Sequence, residues 1–315
     1  MSTVIQTIRL RSSAHFGQKV PPGPLGEVLR LIPTAVRRSV LMAVEARSGA
    51  RRASPPWLSA ATDVRLVDYA GEDETILSFE SPRLGDAAPA LYEQKHFWPT
   101  LPDPQDTGLD LLADVLADVA VGNTDSDRFD QPLLRELLRF RPVLETTFEA
   151  IELLGRRYPS NRAARLDMSV LENAERYRAS TPAPQRARVA GTLDMVRAST
   201  RTFAIRVNQG EELRGVLLSG NIRELAPLLE KPVLVLGRVQ YRPSGRALRI
   251  DAEQVRLATG DVSIWCRIPP ARRRSVEPSA WRQPQGPRSG VAAVIGHWPG
   301  DESDDEIDAW LKEIS

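Results

Sequence analysis

A single cysteine, Cys266, occurs in 315 residues, which excludes a disulfide framework and any multi-cysteine zinc or iron–sulfur site. Three histidines (His15, His96 and His297) lie far apart, with no H-x-H or H-x-x-x-H spacing. No metal site and no cofactor is therefore expected. Lysine is scarce too: Lys19, Lys95, Lys231 and Lys312 are the only four among 42 basic residues. The arginine excess suits bidentate carboxylate or phosphate contacts, although a GC-rich genome produces the same bias. No apolar run approaches the ~18 residues of a membrane-spanning helix, and the start, MSTVIQTIRLRSS, has no apolar signal core. The chain reads as soluble and cytoplasmic, with no membrane partner. Neither G-x-x-x-x-G-K-[ST] nor G-x-G-x-x-G occurs, and RPSGR (242–246) is not the G-x-S-x-G of a nucleophile elbow.

The length exceeds one average domain of ~100–200 residues, and 42% apolar with 26% charged residues is ordinary globular composition. A net charge of +1 excludes a histone-like polyanion binder, but it conceals blocks. Residues 1–60 carry nine basic and two acidic groups, 61–155 carry seven and twenty, 186–258 thirteen and seven, and 291–315 one and seven. Alternating blocks of this kind predict intramolecular neighbours or a charged partner.

The fold class expected is α+β. A mixed, helix-rich N-terminal domain (1–180) precedes a small β-barrel (186–258), a Pro/Arg-rich linker (259–296) and an amphipathic helix (297–315). In the first domain, a mobile start leads to a helix from Leu25 to Ile32 that stops at Pro33, and Thr34 caps a second. VRLVDY and TILSFE flank the acidic turn GEDE as a hairpin near 63–80. Residues 81–107, rich in proline, read as a long loop. Leu109, Leu112, Leu116 and Val119 form one helical stripe that stops at Gly122. Asp130 starts another helix with Pro132 in its first turn, and Pro142 breaks it. Val143–Leu154 and Arg162–Arg178 read as two more helices. STPAPQ (180–185) marks the boundary.

From Arg186 the period becomes two. Val189, Gly191, Leu193 and Met195 alternate inward on one strand, Phe203, Ile205 and Val207 on the next, and Leu213–Leu218 form a third. A short helical stretch (Asn221–Glu230) follows, with Ile222, Leu225 and Leu229 on one side. Two strands complete the segment, one around Val233–Tyr241 and one from Leu248. Three strands, a short helix and two strands is the order of an OB-fold; an SH3-like barrel is the alternative. Such a barrel binds single strands through a basic groove and aromatic platforms. Arg197, Arg201, Arg206, Arg238, Arg242, Arg246 and Arg249 supply the basic half. The aromatic half is thin, because Phe203 and Tyr241 alternate with the core residues, so a structural or protein-docking barrel is the competing reading.

Two more features carry chemistry. Asp110, Asp114 and Asp118, at i, i+4 and i+8 with Asp106 just before, place a carboxylate row on one helix face. It could hold a cation such as Mg²⁺, mimic phosphates, lie as a solvated face, or pair with the basic N-terminal segment. Cys266 in SIWCRI reads as a buried inert thiol, and His96 in KHFWP as a packing residue. At the C-terminus, Ser303 and Glu306 form a capping box, Asp304 and Asp305 favour the positive helix end, and Ile307, Trp310, Leu311 and Ile314 make one apolar face. So short a helix is marginal alone, so this face should dock, either on the chain's own body or in a partner's groove.

The string HWPGDESDDEIDAWLKEIS resembles the Trp-Pro-Gly-Asp-Glu-(Ser/Thr)-Asp-Glu-Glu tail of bacterial antitoxins paired with PIN-domain ribonucleases. The resemblance covers about nineteen residues. It implies a protein partner of that toxin class: Trp298, Ile307 and Trp310 would anchor on it, while Asp301, Glu302, Asp304 and Asp305 would compete for its cation-rich RNA site. The body differs, since such antitoxins are short with a small DNA-binding head. Residues 1–258 resemble, more loosely, bacterial proteins without an assigned activity, which implies none here. The expectation is a non-enzymatic, antitoxin- or inhibitor-like regulator, with single-stranded nucleic-acid binding through the barrel as the alternative.

Overall fold

The computed structural model describes residues 3–49, 54–92 and 102–272. The first of these segments opens not with a mobile stretch but with a strand, β1 (Thr3–Arg11), in which Gln6, Ile8 and Leu10 alternate inward. It is the centre of an antiparallel sheet ordered β2-β3-β1-β4-β5, with β2 at Arg65–Ala70, β3 at Thr75–Pro82, β4 at Ala150–Leu154 and β5 at Ala164–Asp167. The hairpin around GEDE is β2–β3, as its turn residues predict. Two segments expected as continuous helices each contain a strand: Val143–Leu154 is helical only to Thr146 and ends in β4, and Arg162–Arg178 holds β5 before its helix starts at Met168. Ile151 of β4 lies opposite both Leu10 and Leu166, and these distant partners decide a short apolar run that periodicity leaves ambiguous.

Helices cover one face of this sheet. Helix α1 (Pro22–Glu45) runs unbroken through Pro33, where two helices were expected. An internal proline costs about 3 kcal/mol, but Val28, Leu31, Ile32 and Val36 are fully buried on either side of it, at about 1.5–3 kcal/mol each. Burial wins. Short helices α2 (Pro56–Ala61) and α3 (Leu84–Ala87) follow, the latter within the expected loop. Helix α4 (Gly108–Ala120) starts at a capping box, Thr107 with Asp110, and buries Leu109, Leu112, Leu116 and Val119. Gly122 ends it at φ +81°. Asp130 caps α5 (Gln131–Leu137), and Pro142 falls in the first turn of α6 (Arg141–Thr146). Helix α7 (Met168–Ser180) is capped by Asp167, whose Oδ1 accepts from the Val170 N–H. That cap converts β5 into a helix within one residue. Helix α4 packs on the sheet and on α1 and α7.

Residues 185–257 form a closed five-stranded barrel, ordered β10-β8-β7-β6-β9. Its strands are β6 (Gln185–Arg197), β7 (Thr202–Arg206), β8 (Glu212–Leu217), β9 (Pro232–Tyr241) and β10 (Ala247–Leu257). All pairings are antiparallel except β10 with β8, where Ile250 lies opposite Gly215. The interior holds Val189, Leu193, Phe203, Ile205, Leu213, Val233, Val235, Val239 and Ile250. Met195 departs from the expected alternation and is half-buried, because a bulge lies between it and Leu193. The connection after β8 is a 3-10 segment (Ile222–Leu228). Three residues per turn bring Leu228, not Leu229, beneath Ile222 and Leu225; Leu229 is exposed. The chain is therefore α+β with a mixed sheet-and-helix layer and a closed barrel. Both belong to one compact unit, residues 1–271.

Candidate functional site: the arginines of the barrel and the acidic helix row

Alternation on β10 turns Arg249 away from the barrel interior, as the pattern requires. What it faces is not solvent. Arg249 is 6% exposed; its Nη1 donates to Asp130 Oδ2 at 3.2 Å and to the carbonyl of Ala46 at 2.8 Å, and its Nε donates to Asp251 Oδ1 at 2.9 Å. Asp130 also caps α5 and accepts from the backbone and hydroxyl of Ser48. One guanidinium thus ties the C-terminal end of α1 and the start of α5 to the barrel. Leu248 beside it packs into the core of the sheet-and-helix layer. As a nucleic-acid contact Arg249 is ruled out by its burial.

The turn between β9 and β10 is held in the same way. Asp125 accepts from Arg242 Nη1 at 3.3 Å, Arg246 Nη1 at 2.6 Å and Ser244 Oγ at 2.8 Å. The Ser244 N–H donates to the Thr124 carbonyl at 3.0 Å, and Arg214 on β8 reaches Asp127 at 3.3 Å. On the alternative, nucleic-acid reading Arg242 and Arg246 meet a strand; in the fold an acidic loop of the chain itself meets them. Burial opposes ionisation of Asp125, but hydrogen bonds from Ser244 and Arg242 and the charges of Arg242 and Arg246 outweigh it and hold the carboxyl below its ordinary value. A depressed carboxyl stabilises the fold above its unfolded pKa and loses that contribution as pH falls through the folded one. The stability difference between wild type and Asp125→Asn, read from urea melts, should favour wild type at pH ~6 and shrink steadily as pH falls below the ordinary carboxylate range. A difference independent of pH would disprove this role for the charge.

The other four arginines divide. Arg206 is exposed and pairs with Asp194 at 2.8 Å. Arg238 is exposed on β9, opposite Arg186 of β6 and Asp251 of β10. Arg197 and Arg201 flank the β6–β7 loop and line a cleft of about 630 Å³. No stacking platform comes from Phe203 or Tyr241, which are inside the barrel; the Tyr241 hydroxyl donates to the Pro269 carbonyl. Pattern reading missed Trp265, whose ring lies 5.5 Å from the guanidinium of Arg188. Trp265 belongs to a stretch expected as linker, yet Ile268 and Ala271 there pack on the barrel core. Apolar residues spaced among prolines were the signal for this.

The acidic row of α4 is neither solvated nor a cation site. Asp106, Asp110 and Asp114 are buried and Asp118 is half-buried. Each has partners. Asp106 takes Arg156 at 2.7 Å and Arg157 at 3.2 Å; Asp114 takes Arg157 at 2.8 Å and the Tyr158 hydroxyl at 2.8 Å. Asp118 takes Arg128 at 3.0 Å and Ser126 at 2.5 Å, and Asp110 closes the capping box and accepts from Gln6 at 3.0 Å. Burial raises the Asp106 carboxyl above its ordinary value, against the pull of Arg156 and Arg157. The cations come from the β4–β5 turn, which approaches so closely that a side chain at Gly155 would sit 2.6–2.7 Å from Gln6 and Asp110. Among the described residues no group of three or more His, Cys, Asp or Glu is placed to hold a metal ion.

Cys266 is half-buried, not buried, and its Sγ donates to the Val262 carbonyl at 3.4 Å. His15 is exposed at φ +47°. His96 and the tail residues Trp298, Asp301, Glu302, Asp304, Asp305, Ile307, Trp310, Leu311 and Ile314 lie outside the described residues. No family model, no curated protein and no solved structure matches the chain.

Proposed function

We propose that this chain is a protein-binding regulator of the antitoxin or inhibitor kind, not an enzyme, and that residues 297–315 engage its partner. The observation that most supports this is where the body directs its charges. Asp125, Asp127 and Asp130 hold Arg242, Arg246, Arg214 and Arg249, and Asp106, Asp114 and Asp118 hold Arg156, Arg157 and Arg128. The carboxylates beside α4 that an acid–base enzyme would present, and the arginines of the 242–246 turn that a strand-binding face would present, are engaged within the chain. The acidic tail, in which Ile307, Trp310, Leu311 and Ile314 recur at helical spacing, is then the strongest remaining carrier of function, and its resemblance to toxin-blocking tails supports a PIN-type ribonuclease as the partner class.

The test is recovery of partners from the native host by the full chain, by a variant ending at residue 296, and by Trp310→Ala. The full chain should retain a small ribonuclease and inhibit it. The truncation should lose both properties. Trp310→Ala should weaken binding by about 2 kcal/mol or more, the size of an aromatic hot spot. A nuclease retained equally by all three would refute the tail's role, and so would recovery of no nuclease by the full chain.

A second reading, single-strand binding through the barrel, is favoured by element order. Three strands, a short helical segment and two strands closing into a barrel is OB-like, a fold that binds oligonucleotides on its second and third strands and on the loops after its first and fourth. In this chain the second of those loops is 242–246, already held by Asp125.

A further inference from the structure

The five-stranded sheet ends at β2 on one side and at β5 on the other. These two edges differ in what they expose. Strand β5 shows no large apolar residue to solvent, whereas Leu66 and Val67 of β2 are adjacent and are 42% and 50% exposed. Among the described residues no strand pairs with the outer side of β2. An exposed apolar edge is a template for another strand, and proteins guard such edges with charges or a bulge. Strand β2 carries both devices, but their positions make the edge complementary to itself.

Arg65 lies opposite Glu80, Leu66 opposite Phe79 and Asp68 opposite Ser78, so Val67 is the extra residue of a bulge. In a regular strand Arg65 and Asp68 would leave on opposite faces of the sheet. The extra residue brings both to the face that carries Glu80 and Ser78, away from the helices. Val64 and Tyr69 pack toward the core on the other face. We propose that β2 is a self-pairing edge, through which two copies of the chain join their sheets as antiparallel strands. The two-fold axis passes between Leu66 and Val67. Leu66 then meets Val67 of the second copy, Arg65 meets its Asp68, and Val64 meets its Tyr69. Symmetry makes each of these contacts twice. Opposite charges directly across an antiparallel pair stabilise it and like charges oppose it. Charge also selects the register. A slide of two residues is the smallest that keeps side chains on their faces. In one direction it sets Asp63 against Asp68, and in the other it sets Val67 against Asp68. Within one copy Arg65 reaches only Asp63, at 2.6 Å, and Asp68 accepts from the Tyr69 N–H at 2.8 Å. Such exposed contacts contribute little, so little opposes their exchange for cross-strand partners. A strand of six residues gives far less than the roughly 20–30 residues a side of a standard interface. The dimer is therefore transient and depends on concentration. It involves neither the barrel nor the tail.

The experiment uses the full chain in sedimentation equilibrium, from low concentration up to about 0.5 mM, where even a weak interface is populated. The weight-average mass should rise from monomer toward dimer. Amide hydrogen exchange of residues 65–70 should slow over the same range. Arg65→Asp and Asp68→Arg each place like charges across both symmetric pairs and should weaken dimerisation about tenfold or more. The double variant Arg65→Asp with Asp68→Arg restores opposite charges in this register alone and should recover the dimer. Far-ultraviolet circular dichroism confirms that each variant is folded; the exchange measurement on wild type needs no variant. A chain that stays monomeric throughout overturns the proposal. So does a dimer whose 65–70 amides exchange as fast as in the monomer, or one that the single reversals leave intact. A folded double variant that fails to recover the dimer overturns the register. Slow exchange of 65–70 already present in the monomer would mean that residues of the same chain cover this edge, and would overturn the proposal as well.

Discussion

Arg249→Ala should lower the unfolding free energy by about 3–5 kcal/mol, the cost of leaving one partner of a buried pair without the other. Asp130 is 8% exposed and would retain only the Ser48 and Leu133 donors. The Ala46 carbonyl at the end of α1 would lose a donor as well. Chemical denaturation with fluorescence and far-ultraviolet circular dichroism measures the loss. A charge left behind, not lost packing, is the cause, so the double variant Arg249→Met with Asp130→Asn should recover much of it. Asparagine keeps the α5 cap while removing the buried charge. A loss under about 1 kcal/mol, typical of exposed ion pairs, would show that the joint contributes no more than a surface pair.

The second large effect belongs to Arg157. Its guanidinium serves two buried carboxylates, Asp106 at 3.2 Å and Asp114 at 2.8 Å. Arg157→Ala should cost about 2–3 kcal/mol at neutral pH, below the full cost of a broken buried pair, because Arg156 still reaches Asp106 and Tyr158 still reaches Asp114. The pH dependence identifies the mechanism. Burial already holds the Asp106 carboxyl above its ordinary value, and without Arg157 it rises further, so it binds its proton more tightly in the fold. Its penalty is then full above the raised pKa and fades as pH falls toward the unfolded one. Urea melts at pH 7 and pH 4.5 should show a smaller loss in acid; equal losses would point to lost packing instead.

How far the sequence foretold this molecule depends on the range of each signal. Helix α4 was legible because its leucine stripe lies within four turns, and the barrel strands because apolar residues recur at a period of two along them, from five residues in β7 to thirteen in β6. Strands β1 and β4 were not. AIELL (150–154) satisfies either periodicity, and its identity comes from Arg9, Arg11 and Leu10 far upstream. Pro33 carried a true local signal that long-range burial overrode. The spacing of Asp106, Asp110, Asp114 and Asp118 was read correctly, but nothing in that spacing shows that the turn around Arg156 and Arg157 folds over them. Arg249 is the plainest case: alternation says which way a side chain leaves a barrel, not what covers that side. Of the seven arginines considered for a strand, Arg197 and Arg201 come together at one cleft beside the β6–β7 loop, a meeting that strand alternation does not show.

The place of β1 at the middle of its sheet has a cost during synthesis. Arg9 and its partner Glu152 are 143 residues apart in the chain. The ribosome therefore releases the central strand long before one of its two neighbours exists. Until β4 emerges, the β2–β3–β1 half presents an open row of backbone donors and acceptors, with Ile8 and Leu10 beside it, of the kind that recruits other chains. Chaperone demand should peak in that interval, and a slow stretch of translation before residue 150 would prolong the exposure.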